Sequence, residues 1–431
     1  MPENPNPHPG FKSLSLAKSS NTSLLGRTRL MARLQQAATP LAPTSNFPKL
    51  SAFFSSRLWP WISNYIKGIF TSKYTPYPTY AADGKDGVYA AHARDNGDTI
   101  RISVVGDWGT GTFEASEVAQ KILQFSPDYT IHLGDVYYVG DNQEVQENFL
   151  GNNVPPDQFT PVNFPPGSVG TLTMLGNHEM YGGGKPYFTE MIGPSGYCDT
   201  GAGKQTASFF CLETSAWRIL GIDTGYNSVG TPILGSIPII KKIPWFGANC
   251  ELRKELLAWL ESNVKPQQNK KPTLLLSHHQ YYSVYEEAYD RPAQQLKEFF
   301  AGQDIVWIWG HEHRLSIYDR YSPDGNVMCY GRCLGNGGMP VELETRGKKH
   351  PLLYLDPRGL PQGKQYPVGD GTYAGWNGFL NLTLDGPRMT IVYLDLNNQE
   401  LFSELFIGSP DGSLQYSLLS HPVLTPSPAS S

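Results

Sequence analysis

Residues 99–138 read TIRISVVGDWGTGTFEASEVAQKILQFSPDYTIHLGDVYY, and this stretch decides the fold class. Thr99–Val105 reads as a short strand that stops at Gly106-Asp107, and Tyr129–Leu133 as a second that stops at Gly134-Asp135. Between them lies a helix-like stretch near residues 113–125. A strand, a helix and a second strand at this spacing read as a βα unit of an α/β sheet.

The pattern continues outward. Further strands are expected at Thr171–Leu175, Ala207–Leu212, Trp217–Ile222, Thr273–Ser277 and Ile305–Trp309, with helices near 251–263 and 292–301. Gly378–Leu384, Met389–Asp395 and Glu400–Phe406 read as late strands with alternating faces. The result is one α/β domain over residues 99–410, with insertions at about 229–247 and 343–375, and a C-terminal tail over 411–431. The 44 glycines and 35 prolines agree with long loops and exclude a helical bundle.

The chain ahead of the domain is different. Residues 1–48 are rich in Pro, Ser, Asn and Thr and are read as a disordered basic extension. They lack the charged-then-apolar pattern of a secretory signal peptide, although their acid-free, Ser- and Arg-bearing composition also suits an organelle transit peptide. Residues 49–98 form an amphipathic aromatic segment and linker, with Phe53, Phe54, Leu58, Ile62 and Ile69 among the apolar positions at near-helical spacing over 49–73. Such a stripe covers an apolar face of its own protein or makes peripheral contact with an anionic membrane surface.

Charge separates the same two parts. Nine basic residues and no acidic one lie between Glu3 and Asp83, so residues 83–431 carry a net charge of −13 within a total of −5. That acidic body is unsuited to a nucleic-acid scaffold. No run of eighteen uninterrupted apolar residues exists, which excludes a polytopic membrane protein. Five cysteines without a CxxC pair exclude a zinc ribbon and a dense disulfide framework.

Five clusters each follow an expected strand: Gly106-Asp107-Trp108-Gly109, Gly134-Asp135-Val136-Tyr137-Tyr138, Gly176-Asn177-His178-Glu179, Ser277-His278-His279 and Gly310-His311-Glu312-His313. The carboxyl ends of strands in an α/β sheet gather on one edge, so these tips converge on one crevice. A meeting of carboxylates, an amide oxygen and imidazoles suits hard to borderline cations, and two ions need one donor set each plus a shared bridge, for which Asp135 is the natural choice. On extended backbone His311 and His313 point the same way and Glu312 faces away. Each residue alone would read as a turn, a cap or a core group, and the ordered conjunction is what carries the metal reading.

In these motifs, GDxG, GDxxY, GNHE, an apolar strand ending in His, and GHxH, the chain resembles the calcineurin-like metallophosphoesterases and, through Tyr138, the purple acid phosphatases among them. The resemblance covers about residues 99–340 and implies a four-layer α/β/β/α sandwich holding two metal ions. It further implies that Asp107, Asp135, Tyr138 and His313 bind Fe(III), and that Asn177, His278 and His311 hold a divalent Fe, Mn or Zn together with Asp135. His178 would then be the catalytic donor to a phosphoryl oxygen while an activated hydroxide attacks phosphorus in line. A small phosphate ester is the implied substrate, monoesters first because of Tyr138; a phosphodiesterase, a nucleotide pyrophosphatase and a non-catalytic binding module are the alternatives.

Two positions depart from the family pattern. Glu287 stands where purple acid phosphatases often carry a substrate-binding histidine, and Gln280 replaces the usual Pro after the fourth motif. His279 and Glu287 are therefore the candidate substrate-binding residues, with Gly182-Gly183-Gly184, the 229–247 insertion and the Gly335–Met339 turn as candidate pocket elements.

Overall fold

The computed structural model describes residues 74–137, 139–152, 162–229, 249–339, 341, 350–359, 367–368, 372–373 and 375–421. The N-terminal extension, the amphipathic stripe over 49–73, Tyr138, nearly all of the first insertion and most of the second lie outside the described residues.

Two sheets form the body. One holds, in spatial order, β1 (Val88–Ala90), β5 (Phe210–Glu213), β6 (Arg218–Gly221), β7 (Thr273–Ser277), β8 (Asp304–Trp309), β10 (Met328–Leu334), β9 (Leu315–Tyr321) and β11 (Leu352–Leu355). The other holds β17 (Leu414–Ser420), β16 (Glu400–Gly408), β15 (Arg388–Asp395), β14 (Gly378–Asp385), β2 (Thr99–Val105), β3 (Tyr129–His132) and β4 (Gly170–Thr173). Pro367–Val368 (β12) and Thr372–Tyr373 (β13) make a separate small ribbon. The strands β2, β3 and β4 run parallel, as do β6, β7, β8 and β10.

Side-chain alternation explains the layering. Ile102, Val104, Ile131 and Leu172 of one sheet interleave with Leu274, Leu276, Val306 and Ile308 of the other to make the central core. On the outer face of the second sheet, helix α1 (Phe113–Phe125) presents Ala115, Val118, Ala119 and Ile122. Thr112 starts that helix by accepting the Ala115 N–H at 3.2 Å, and Ser126 ends it in a left-handed conformation. A short helix α2 (Asn177–Tyr181) follows β4. On the far side, α3 (Lys254–Trp259) and α4 (Asp290–Leu296) place Leu256, Trp259, Ala293 and Leu296 against Leu220, Leu275 and Trp307. The order helix, sheet, sheet, helix is the four-layer α/β/β/α sandwich.

The structure departs from the sequence reading at several boundaries. Residues 74–98 are less a linker than part of the body: β1 pairs with β5, and Tyr80 is buried with its hydroxyl donating to the Phe209 carbonyl at 2.5 Å. β17 pairs with β16, so the sheet passes the expected end at residue 410 into what was read as a tail. β9, β10 and β11 are strands where none was expected. Asp319, Arg320 and Arg332 interrupt their apolar pattern, and Arg332 is compatible with a buried strand because Glu404 pairs with it. All five cysteines are free and buried. Asn381 is buried and accepts from Ser103 Oγ at 2.6 Å.

Candidate metal centre

The five motifs meet at one edge of the sandwich because each occupies the turn after a parallel strand. Asp107, Asp135 and His311 follow Gly106, Gly134 and Gly310, and all three sit in the left-handed region, with φ of 57°, 76° and 68°. This conformation costs on the order of 1 kcal/mol or more for a non-glycine residue, so three cases converging on one site mark a functional constraint. The glycines make room: a Cβ on Gly176 would lie 2.1 Å from Asp135 Oδ1, and one on Gly310 2.6 Å from Asp107 Oδ2.

The donors fall into two adjoining groups. In one, Asn177 Oδ1 lies 3.0 Å from both His278 Nε2 and His311 Nδ1, and His278 Nε2 lies 3.3 Å from Asp135 Oδ2. Asn177 gives its amide N–H to the Tyr181 hydroxyl at 2.9 Å, which turns its carbonyl oxygen toward the imidazoles. His278 gives Nδ1–H to the Leu133 carbonyl at 2.9 Å, which directs Nε2 to the same point. In the other group, His313 Nε2 lies 3.6 Å from Asp107 Oδ1, and a phenolic oxygen stands between them. That oxygen belongs to Tyr137, at 2.7 Å from Asp107 Oδ1, 3.2 Å from Asp135 Oδ2 and 3.1 Å from His313 Nε2. Asp135 faces both groups.

Electrostatics fits a resident cation pair. Burial pushes the Asp107 carboxyl up to about 8 despite the opposing charge of His278. For Asp135 burial acts upward too, but the charges of His278 and His178 outweigh it and hold the carboxyl well below its ordinary range. Burial lowers His278 while Asp135 raises it, and the balance is about 9. Burial carries His311 and His313 down to about 3, so both are neutral donors at neutral pH. The buried cluster brings several carboxyl, amide and imidazole lone pairs to one place, where a cation would satisfy them together. Spacings near 3 Å are also the edges of a coordination shell with bonds of about 2.0–2.2 Å. The donor set therefore fits two divalent or trivalent ions.

Of the residues expected from sequence, Asp107, Asp135, Asn177, His178, His278, His311 and His313 are brought together and buried or nearly so; Tyr138 is outside the described residues. His178 donates its backbone N–H to Asp135 Oδ1 at 3.0 Å and holds Nε2 3.8 Å from Asp135 Oδ2. His279 joins the edge of the cluster, its ring 4.6 Å from that of His311 and its Nδ1 3.1 Å from Thr224 Oγ1. Glu287 is exposed, and its backbone carbonyl accepts from Gln280 Nε2 at 2.8 Å. Gln280 thus ties down the 280–289 loop. That loop returns Tyr289 to within 5.1 Å of the His279 ring.

One other expectation changes. The His311 backbone is left-handed instead of extended, yet its turn still sends one imidazole to each group. Gly182, Gly183 and Gly184 donate their N–H groups to the Val139, Met180 and Glu179 carbonyls at 3.0–3.1 Å. The Gly335–Met339 turn buttresses the ligand loop through Gly337 N–H to Gly106 O and Met339 N–H to Asp107 O.

Sequence reasoning missed Glu179 and Tyr137. Glu179 is the last letter of GNHE; its carboxylate accepts from the N–H groups of Asp135, Val136 and Gly176 at 3.3, 2.9 and 3.0 Å, and so fixes the Asp135 turn. Its place in the motif was a usable signal. Tyr137 was passed over because the family motif points one residue further on.

The family model of calcineurin-like phosphoesterases matches residues 100–315, half of the chain. The chain belongs to the calcineurin-like phosphoesterase family. Among solved structures it is similar to GAP50, the anchor in the inner membrane complex of Plasmodium, at 14% identity over 73% of this chain and 91% of that one, with a TM-score of 0.44. It is also similar to the purple acid phosphatase PPD1 of yellow lupin seeds, at 14% identity over 72% of this chain and 53% of that one, TM-score 0.44. PhoD is a third, at 11% identity over 76% of this chain and 72% of that one, TM-score 0.44. No curated protein matches the chain.

Proposed function

We propose that the protein is a dinuclear metal-dependent hydrolase of phosphate esters, with phosphomonoesters preferred over diesters. The observation that carries this reading is the convergence of Asp107, Asp135, Asn177, His278, His311 and His313 into two donor groups that share Asp135. On this reading Asp107, Asp135 and His313 with a tyrosine phenolate hold Fe(III), and Asp135, Asn177, His278 and His311 hold a divalent Fe, Mn or Zn. When bound, the pair supplies Lewis acidity to a water molecule and to the phosphoryl oxygens.

The chain's own groups do the rest. His178, buried beside Asp135, donates from its ring to a phosphoryl oxygen as negative charge grows there. The neutral, buried His279 presents its remaining ring edge to substrate once Nδ1 is engaged by Thr224. Glu287 is exposed to water, which screens its repulsion of a dianionic phosphate. Tyr181, beside the His178 ring at 4.9 Å, and Tyr289, beside His279, flank the site on two sides.

The test is hydrolysis of p-nitrophenyl phosphate against bis-p-nitrophenyl phosphate by the full chain, with and without chelator. The reading expects the monoester to be turned over with the higher kcat/KM and both activities to vanish on chelation. A diester preference would move the assignment to the phosphodiesterases of the same fold, and chelator-resistant activity would contradict it.

A further inference from the structure

The geometry points to Tyr137, one residue ahead of the family position, as the phenolate of the metal centre. This rests on the metal-centre reading above but departs from the resemblance, which places that ligand at Tyr138. The Tyr137 hydroxyl is fully buried and lies within 3.2 Å of three groups, Asp107 Oδ1, Asp135 Oδ2 and His313 Nε2. A phenol has one proton to give. The phenolic oxygen thus stands where two carboxyl groups and an imidazole meet, and its one proton can be given to only one of them. A cation among them satisfies every group at once, and the distances already match cis edges of a coordination shell with bonds near about 2.1 Å. Binding exchanges the phenolic proton for the metal and releases it to water.

Tyr137 is held there from both sides. Its backbone N–H donates to the Gly109 carbonyl at 2.9 Å, and its carbonyl accepts from Asn148 Nδ2 at 2.7 Å. The first of these bonds continues the parallel pairing of β2 and β3 past the strand ends, where Asp107 N–H also donates to Gly134 O at 3.1 Å. A Cβ on Gly109 would lie 2.8 Å from Val136 Cγ2 and 2.9 Å from the Asp135 carbonyl, so only glycine lets the two turns zip this closely. The ring is covered by Met339 on one side and lies 4.3 Å from the His178 ring. The zipped turns fix the position of Tyr137 beside Asp107.

The experiment is the visible spectrum of wild-type protein, Tyr137→Phe and Tyr138→Phe, each reconstituted with ferric iron and zinc, with bound iron quantified. A phenolate bound to Fe(III) gives an intense charge-transfer band. The inference expects the band in wild type, its retention in Tyr138→Phe at unchanged iron content, and its loss in Tyr137→Phe. Retention in Tyr138→Phe supports the inference even if Tyr137→Phe fails to fold. Loss of the band only in Tyr138→Phe would overturn the inference while leaving the metal centre intact. Iron bound without colour in wild type would overturn it by removing the phenolate, and failure of wild type to bind metal would sink the underlying reading as well.

Discussion

Arg332 on β10 and Glu404 on β16 join the two sheets through a fully buried ion pair, and removing one partner should be far worse than removing both. Arg332 Nε donates to Glu404 Oε1 at 2.8 Å and Nη2 to Oε2 at 2.6 Å, while Nη1 donates to the carbonyls of Tyr318 and Gly331 at 2.5 and 2.8 Å. Tyr393 adds its hydroxyl to Glu404 Oε1 at 2.9 Å. Arg332→Met leaves a dry carboxylate with Tyr393 as its remaining donor here, and Glu404→Leu leaves a guanidinium with two carbonyls. Each single change should cost about 3–5 kcal/mol, because an uncompensated charge stays buried. The double variant Arg332→Met/Glu404→Leu removes both charges at similar volume and should lie within about 1–2 kcal/mol of wild type. Urea denaturation followed by tryptophan fluorescence gives the three differences, and their non-additivity is the coupling. If either single variant lost less than about 1 kcal/mol, or the double lost the sum of the singles, the reasoning would fail.

Further outcomes follow from the site and its supports. Gly176→Ala places a methyl 2.1 Å from Asp135 Oδ1, so the carboxylate must move by about 1 Å, and kcat/KM should fall about a hundredfold with metal partly lost; undiminished activity would refute the packing argument. His178→Ala should lower kcat by about 10²–10³-fold while metal content and KM change little, as measured by metal analysis beside steady-state kinetics. His132 is buried between Phe149 and Phe164 with its ring carried down to about 3 by burial, so the unfolded chain takes up a proton below pH 6.5 that the fold does not. Stability is therefore lost as pH falls from 6.5 toward 3, about 2 kcal/mol of it by pH 5, and His132→Phe should flatten the midpoint-versus-pH curve over that range.

The sequence carried the parallel strands and the residues that meet at their ends well, for a physical reason. A strand buried on both faces is a continuous apolar run, and a ligand turn at its end needs Gly followed by a polar residue, so both signals are local. β2 and β7 run over the residues read from their letters alone, Thr99–Val105 and Thr273–Ser277. What was illegible depends on partners distant in the chain. β10 hides behind Arg332, whose burial makes sense only beside Glu404, 72 residues later. Tyr80 reads as part of a linker until Phe209 and Trp259 close around it. The contacts of Tyr137 rest on the pairing of the Asp107 and Asp135 turns, which no local pattern of letters shows.

The central claim is that this edge of the sandwich holds two catalytic metal ions, and metal stoichiometry tied to activity tests it most directly. Full-length protein should contain two ions per chain, lose p-nitrophenyl phosphate hydrolysis when they are stripped, and regain it in step with readdition until the second equivalent. Folded protein that binds no metal at these residues, or hydrolyses the ester equally well without it, would contradict the account.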